Sequence, residues 1–291
     1  MEAGIPPLPA TEDRAVQHPG IAAVYFKLGQ YTPPVSVVVS ALNEAENLPY
    51  VLPRIPAWVH EVILVDGHST DHTVAVARRL CPEIQIVIQE GRGKGAAIRT
   101  GFATATGDII VLLDADGSTD PAEIPAFVGT LIAGADFAKG SRFLQGGGTA
   151  DMTRLRRFGN RFFVFLANVL FGTRFTDITY GFNALWRRYA PLLALEIDDW
   201  ANEIISNIRV ARSGLRVVEV ASFEYERIAG EAKLVAFSAG WAILRAIIRE
   251  RFKQPGMRAQ SWLVRGTIKK LSDMVGEISV QSRPTAARET K

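Results

Sequence analysis

Two carboxylates one residue apart, Asp114 and Asp116, end the apolar run Ile109 to Leu113 in the stretch GDIIVLLDADGSTD, Gly107 to Asp120. A continuous apolar run of strand length reads as a strand buried on both faces. Ionised groups at its carboxyl end must then sit at an opening where their charge is compensated. A divalent cation is the simplest compensation. Asp-x-Asp offers hard oxygen ligands and leaves most of the coordination shell to water and diphosphate oxygens, as Mg²⁺ or Mn²⁺ prefers. The bland alternative is a solvated turn, since Asp, Gly and Ser all favour turns.

The elements around this strand place further polar residues at the same kind of position. Val35 to Ser40 is a β-branched run followed by Asn43-Glu44, and Glu61 to Val65 is a second strand ending on Asp66-Gly67-His68-Ser69-Thr70-Asp71. Ser69, Thr70 or Asp71 caps a helix through Leu80. Ile84 to Ile88 is a third strand leading into Gly91-Arg92-Gly93-Lys94-Gly95 and a small-residue helix to about Ala105, and Pro121 opens a helix to Ala133. Strand and helix alternating at this spacing predict an α/β fold, a mainly parallel sheet with helices on both faces. Ligands bind beyond the carboxyl ends of such strands. Asn43-Glu44, Asp66, the glycine loop and Asp114/Asp116 all fall there, which is the strongest argument from the residues alone for an active site.

Later in the chain the alternation weakens. Ala135 to Ala138 is a short strand before Gly140-Ser141-Arg142, and Arg154 to Phe171 is a helix with Arg154, Arg156, Arg157 and Arg161 at its start. Cations at a helix N-terminus are unfavourable, so an anion-binding role is the reading preferred over a solvated first turn. Ala201 to Ser213 reads as a helix, Leu215 to Val220 as a strand, and Leu234 to Phe252 as an amphipathic helix that docks on the domain or a membrane surface.

Composition bounds the rest. The chain has 291 residues, 48% of them hydrophobic, enough for a sizeable core. Cys81 is the single cysteine, which excludes an internal disulfide framework and fits a reducing, cytoplasmic setting. The opening residues predict no secretory leader, and no apolar window reaches the ~20 residues needed to span a bilayer. From Lys253 onward eight Lys or Arg face three acids, a tail that is either solvated or drawn to an anionic membrane face. No nucleic-acid partner is expected, and the oligomeric state is left open. The expected organisation is a flexible tail over 1–34, a catalytic domain over 35–233, the amphipathic helix over 234–252 and the basic tail over 253–291.

One motif competes. Gly91-Arg92-Gly93-Lys94-Gly95-Ala96 satisfies G-x-G-x-x-G/A after a strand, with Asp114 about twenty residues on, as in dinucleotide-binding folds. An NAD(P)-binding oxidoreductase is therefore the minor alternative. Against it, the motif follows the third strand and Asp116 has no part in holding a ribose. A phosphate-binding Walker loop fails because Gly95 follows Lys94. A sugar-phosphate nucleotidyltransferase needs an early glycine-rich basic loop that Val35 to Glu46 lacks, and a non-catalytic binding module would not need both Asp114 and Asp116.

VSVVVSALNEAENL, EVILVDGHSTDHT and GRGKGAAIRTGFATATGDIIVLLDAD, in this order, resemble the family 2 glycosyltransferases of GT-A fold, most closely the dolichol- or polyprenyl-phosphate sugar transferases. The resemblance continues through GSRF, RLRRFGNR, DITYGFNALWR and RIAGEAKL, spanning about Val35 to Phe252. It implies that Asn43, Glu44 and Asp66 line a nucleotide pocket, that Gly93, Lys94 and Gly95 contact the nucleotide, and that Asp114 approaches ribose and metal while Asp116 binds the metal. Arg142 would face the diphosphate or an acceptor phosphate, and Arg156, Arg157 and Lys233 would be further anion contacts. Two departures are visible: Asp66-Gly67-His68-Ser69 replaces the common Asp-Asp-Gly-Ser, and Gly181-Phe182-Asn183 replaces the usual GFR, removing a basic residue near the acceptor.

The expected chemistry is metal-dependent, inverting transfer of a hexose from a UDP- or GDP-linked sugar to a polyprenyl-phosphate-type acceptor. The alternative is the same donor with a soluble, small-molecule hydroxyl acceptor, for which Glu203 or Asp177 would be the base. His68 and His72 receive no catalytic role. The enzyme is expected in the cytoplasm, or peripherally at the inner face of the membrane.

Overall fold

Val35–Ala41 (β1) is buried along nearly its whole length because it lies in the middle of a sheet covered on both faces. The computed structural model describes residues 33–193, 201–230 and 236–252. In it β1 pairs in parallel with Glu61–Asp66 (β2) on one side and Ile109–Asp114 (β4) on the other, and Gln85–Ile88 (β3) forms the edge beyond β2. The register sets Ser40 opposite Asp114 and Ala41 opposite Asp66, so the polar strand ends line up along one edge.

Beyond β4 the sheet changes direction. Asn183–Trp186 (β7) pairs antiparallel with β4 and with Phe137–Ser141 (β5), and Val217–Ala221 (β8) closes the sheet in parallel with β5. The order is β3-β2-β1-β4-β7-β5-β8, mainly parallel as the sequence predicts, with one antiparallel strand it does not reveal. Gly148–Thr149 (β6) and Phe223–Glu224 (β9) form a separate two-stranded ladder.

Alternate side chains of the strands feed two cores. Val37, Val39, Val111 and Leu113 pack with Leu48–Val51 (α1) and Ile124–Ile132 (α4). Val38, Ile63, Val65 and Ile110 pack against Lys94–Thr104 (α3) and Ala190–Leu193 (α6). The small residues of α3 have a physical reason: a Cβ on Gly101 would stand 2.3 Å from Val38 Cγ1, so only glycine lets the helix lie this close to β1. A third core joins Arg154–Phe171 (α5), Ala201–Arg212 (α7) and Ala236–Phe252 (α8) through Phe163, Ala167, Ile204, Ile208 and Ile247.

The elements fall near their expected places, with instructive differences. Thr73–Leu80 (α2) has His72 rather than Ser69, Thr70 or Asp71 at its N-cap, and Asp71 Oδ1, one residue further out, accepts from Thr73 N at 2.9 Å. Pro121–Glu123 is a single 3-10 turn before α4, opened by Asp120 accepting from Ala122 N at 2.9 Å. By contacts the chain divides into Met1–Glu250 and Arg251–Lys291, and only Arg251 and Phe252 of the second unit are described. The expected tail over 253–291 and nearly all of that over 1–34 lie outside the described residues. Among the described residues no helix is long and apolar enough to cross a membrane.

Candidate active site

The end of β4 and the turn after it bring Asp114 and Asp116 to a cleft of about 1780 Å³ at the carboxyl edge of the sheet. Asp114 accepts from Ser40 Oγ at 3.2 Å through Oδ1 and from Lys94 Nζ at 2.8 Å through Oδ2. Lys94 opens α3 directly after Gly93, whose φ of +84° turns the glycine loop toward the cleft. Its ammonium also pairs with Glu203 of α7. Burial opposes the charge on Lys94, but the Asp114 and Glu203 carboxylates outweigh it and hold the amine protonated well above its ordinary range. Burial, aided by the charge of Asp114, raises the Glu203 carboxyl above its usual range against the pull of Lys94. A Cβ on Gly181 would lie 2.6 Å from Glu203 Oε1 and 2.8 Å from Lys94 Nζ, so a larger residue here would displace the ion pair.

Asp116 lies in the turn after β4. Its Oδ1 accepts from Ser118 N at 3.0 Å and Ser118 Oγ at 2.7 Å, and its Oδ2 faces Arg227 Nη1 at 3.3 Å. Arg227 also grips Glu44, from the loop after β1, at 2.6 and 2.5 Å. The sequence does not single out Arg227; the only signal is its place at the head of the RIAGEAKL segment.

Neither Asp66 nor Asn43 lines the cleft: Asp66 is buried behind it, and Asn43 is exposed outside it. Asn43, at φ +56°, accepts from Thr70 N at 2.8 Å and so ties the β1 loop to the β2 loop. Asp66 Oδ2 accepts from Ser69 N at 3.1 Å, while its buried Oδ1 has no partner among the described residues. Gly67, His68 and Gln89 line the cleft in this region. Gly95 is buried in α3, leaving Gly91 to Lys94 as the part of the glycine loop on the cleft.

The structure places Arg142 and Asp177, both expected at the site, beneath the cleft rather than on it. The Arg142 guanidinium is sealed beneath the site, with 1% of its side chain exposed. It holds Asp177 through Nε at 2.7 Å and Nη2 at 2.9 Å, Glu224 through Nη1 at 3.0 Å, and Thr179 Oγ1 at 2.8 Å. Every guanidinium nitrogen is engaged within the protein, and Asp177 is fully buried. Burial would raise the Asp177 carboxyl, but Arg142 overrides it and holds the group below the usual range.

The far wall of the cleft is apolar, formed by Leu155, Phe162 and Phe163 of α5 with Trp241 and Leu244 of α8. Arg156 stands at its edge, paired with Asp151 at 2.7 Å. Arg157 is exposed and away from the cleft. Lys233 lies outside the described residues.

Among the described residues no three His, Cys, Asp or Glu side chains converge as a ready-made metal cage. Asp114 and Asp116, 27% and 25% exposed, fit a partial site of hard oxygens that substrate phosphates and water would complete, which suits Mg²⁺ or Mn²⁺.

The family model described as glycosyl transferase family 2 matches residues 36–191. A dolichyl-phosphate hexose transferase of Haloferax volcanii is 32% identical over 221 residues, covering 74% of this chain and 92% of that protein. An uncharacterized glycosyltransferase of Mycobacterium tuberculosis is 43% identical over 108 residues, 37% of this chain, so the match spans about half (48%) of that relative's length. Among solved structures, glucosyl-3-phosphoglycerate synthase from Mycobacterium tuberculosis, crystallised with Mn²⁺, UDP and glucosyl-3-phosphoglycerate, superposes with a TM-score of 0.61 at 22% identity, covering 79% of this chain and 83% of that one. The fold is thus of the GT-A type, and the chain belongs to glycosyl transferase family 2.

Proposed function

We propose that this chain moves a hexose from a UDP- or GDP-linked sugar to a polyprenyl-phosphate-type acceptor, with inversion, using Mg²⁺ or Mn²⁺ held at Asp114 and Asp116. One observation carries the reading: the carboxylate floor and the apolar wall of α5 and α8 belong to a single cleft. A charged donor and an acceptor with a hydrocarbon chain need those two surfaces side by side. The Haloferax relative's name supports the same acceptor class.

The donor's base would enter beside Gly67, His68 and Gln89, with Asp66 behind them shaping the turn through its bond to Ser69 N. When bound, the cation supplies positive charge to the departing diphosphate. Lys94 fixes the orientation of Asp114, and Glu203 in turn fixes Lys94. Arg156, at the edge of the apolar wall, would exchange its Asp151 partner for an acceptor phosphate. Such a phosphate is already an anionic nucleophile and needs no general base. Arg142 and Asp177 act from behind as positioning residues. Leu155, Phe158, Phe162, Phe165 and Val169 form an exposed apolar stripe along α5, with exposed Arg154, Arg157 and Arg161 beside it. This is the composition of a helix lying on an anionic membrane surface, where polyprenyl phosphates reside.

The test is a thermal-shift panel of UDP- and GDP-linked sugars with and without Mn²⁺, on wild type and Asp116→Ala. One nucleotide should stabilise the protein only when both the metal and Asp116 are present. Hexose transfer to a short polyprenyl phosphate, but not to soluble hydroxyl acceptors, then fixes the acceptor. Stabilisation by NAD without metal dependence would overturn the reading.

A further inference from the structure

Asp116 has only one carboxylate oxygen to give. Oδ1 is taken by the backbone and hydroxyl of Ser118, so a cation must use Oδ2, and Arg227 already faces that oxygen at 3.3 Å. A guanidinium and a divalent cation compete for it, because two positive charges brought to one oxygen repel each other.

Arg227's grip is uneven. Its contacts to Glu44, at 2.5 and 2.6 Å, and from Nε to Ala229 O, at 2.7 Å, are short, whereas that to Asp116 is long. The backbone around it is anchored independently of the guanidinium: Tyr225 N donates to Ser118 O at 2.8 Å, Ala229 N to Asn47 Oδ1 at 2.8 Å, and Asn47 Nδ2 to Ala229 O at 3.2 Å. Releasing Asp116 therefore costs only the weakest contact and moves no backbone.

We infer that Arg227 is the resident counter-ion of the metal-free cleft, clamping Glu44 and Asp116 together and yielding Asp116 Oδ2 to the divalent cation when the donor binds. The inference rests on the metal assignment made above. It gives the cleft a reason to bind bare metal weakly: Mn²⁺ alone must evict Arg227, whereas a nucleotide diphosphate arriving with the metal brings negative charge that offsets the released guanidinium.

The test is Mn²⁺ binding to the full chain without nucleotide, followed by the electron paramagnetic resonance signal of free Mn²⁺. Arg227→Gln should bind Mn²⁺ about tenfold more tightly than wild type, because the competitor is gone. A purely structural arginine predicts the opposite, since its loss would loosen the loop and weaken the site. Should Arg227→Gln melt below the assay temperature, Arg227→Lys serves instead. A lysine reaches one carboxylate rather than two, with Glu44 the more tightly held, so tightening by about threefold is expected. Equal or weaker binding by the folded variants overturns the inference. Failure of the metal assignment looks different: with UDP or GDP present, wild type and Asp116→Asn would then bind Mn²⁺ alike.

Discussion

Lys94 Nζ stands 2.8 Å from Asp114 Oδ2 and simultaneously against the Glu203 carboxylate, so one ammonium from the first turn of α3 joins the end of β4 to α7. The Lys94 and Glu203 side chains are only 16% and 10% exposed, and removing the lysine leaves two carboxylates facing each other with little solvent between them. Lys94→Met should destabilise the fold by about 3–5 kcal/mol in urea denaturation. Adding Glu203→Gln to that variant should restore about 1 kcal/mol or more, because it removes one of the orphaned charges. Simple additivity of the two substitutions would show that the pair is not coupled.

Arg142 invites a second test. Because it compensates Asp177 and Glu224 at once, Arg142→Met should cost about 3–5 kcal/mol, and Arg142→Lys should recover only part of it, since an ammonium cannot reproduce the paired bonds to both acids. If Arg142 instead bound the donor directly, Arg142→Lys would fold with wild-type stability and lose nucleotide affinity. Melting and nucleotide titration of the same variant separate the two.

Glu123 sets a pH dependence. Burial lifts its carboxyl to about 7 against the hydrogen bonds it accepts from Ser222 Oγ and Phe223 N, with Asp120 adding to the rise. The folded form thus holds a proton that the unfolded chain releases near its ordinary value of 4.5. Stability is full below that value, falls as pH rises toward 7, and is level above. The loss amounts to at most about 3 kcal/mol. Glu123→Gln should flatten the melting temperature between pH 5 and 7.5 relative to wild type. An unchanged slope would mean that Glu123 titrates normally.

How much of this was legible in the sequence depends on the distance over which each charge is balanced. Asp114 and Asp116 stand out because a buried apolar strand cannot hold them, a conflict contained in a few adjacent residues. β1, β2 and α5 are legible for the same local reason, a sustained run or a sustained period. β7 is not, because Asn183–Trp186 is four residues long and shows no alternation of its own. Arg142 is visible as a cation but not as a buried one, since its partners lie 35 and 82 residues away. Arg227 is 111 residues from Asp116 and 183 from Glu44, and only the folded chain shows that it neutralises both.

The apolar stripe of α5 supplies the last prediction. Phe158 and Phe165 are 69% and 64% exposed, so they contribute little to the core, and replacing both with serine should leave the melting temperature nearly unchanged. On a membrane the same two rings would enter the headgroup region, and exposed Arg154, Arg157 and Arg161 would meet anionic lipid. Phe158→Ser/Phe165→Ser should therefore weaken co-sedimentation with phosphatidylglycerol vesicles at least about tenfold. Raising the salt should weaken the wild type as well, because the arginine contribution is screened. If the double variant binds vesicles as wild type does, α5 is not the membrane-facing element. A variant that loses vesicle binding yet transfers hexose normally to a detergent-solubilised polyprenyl phosphate would place the stripe in docking and leave the chemistry to the cleft.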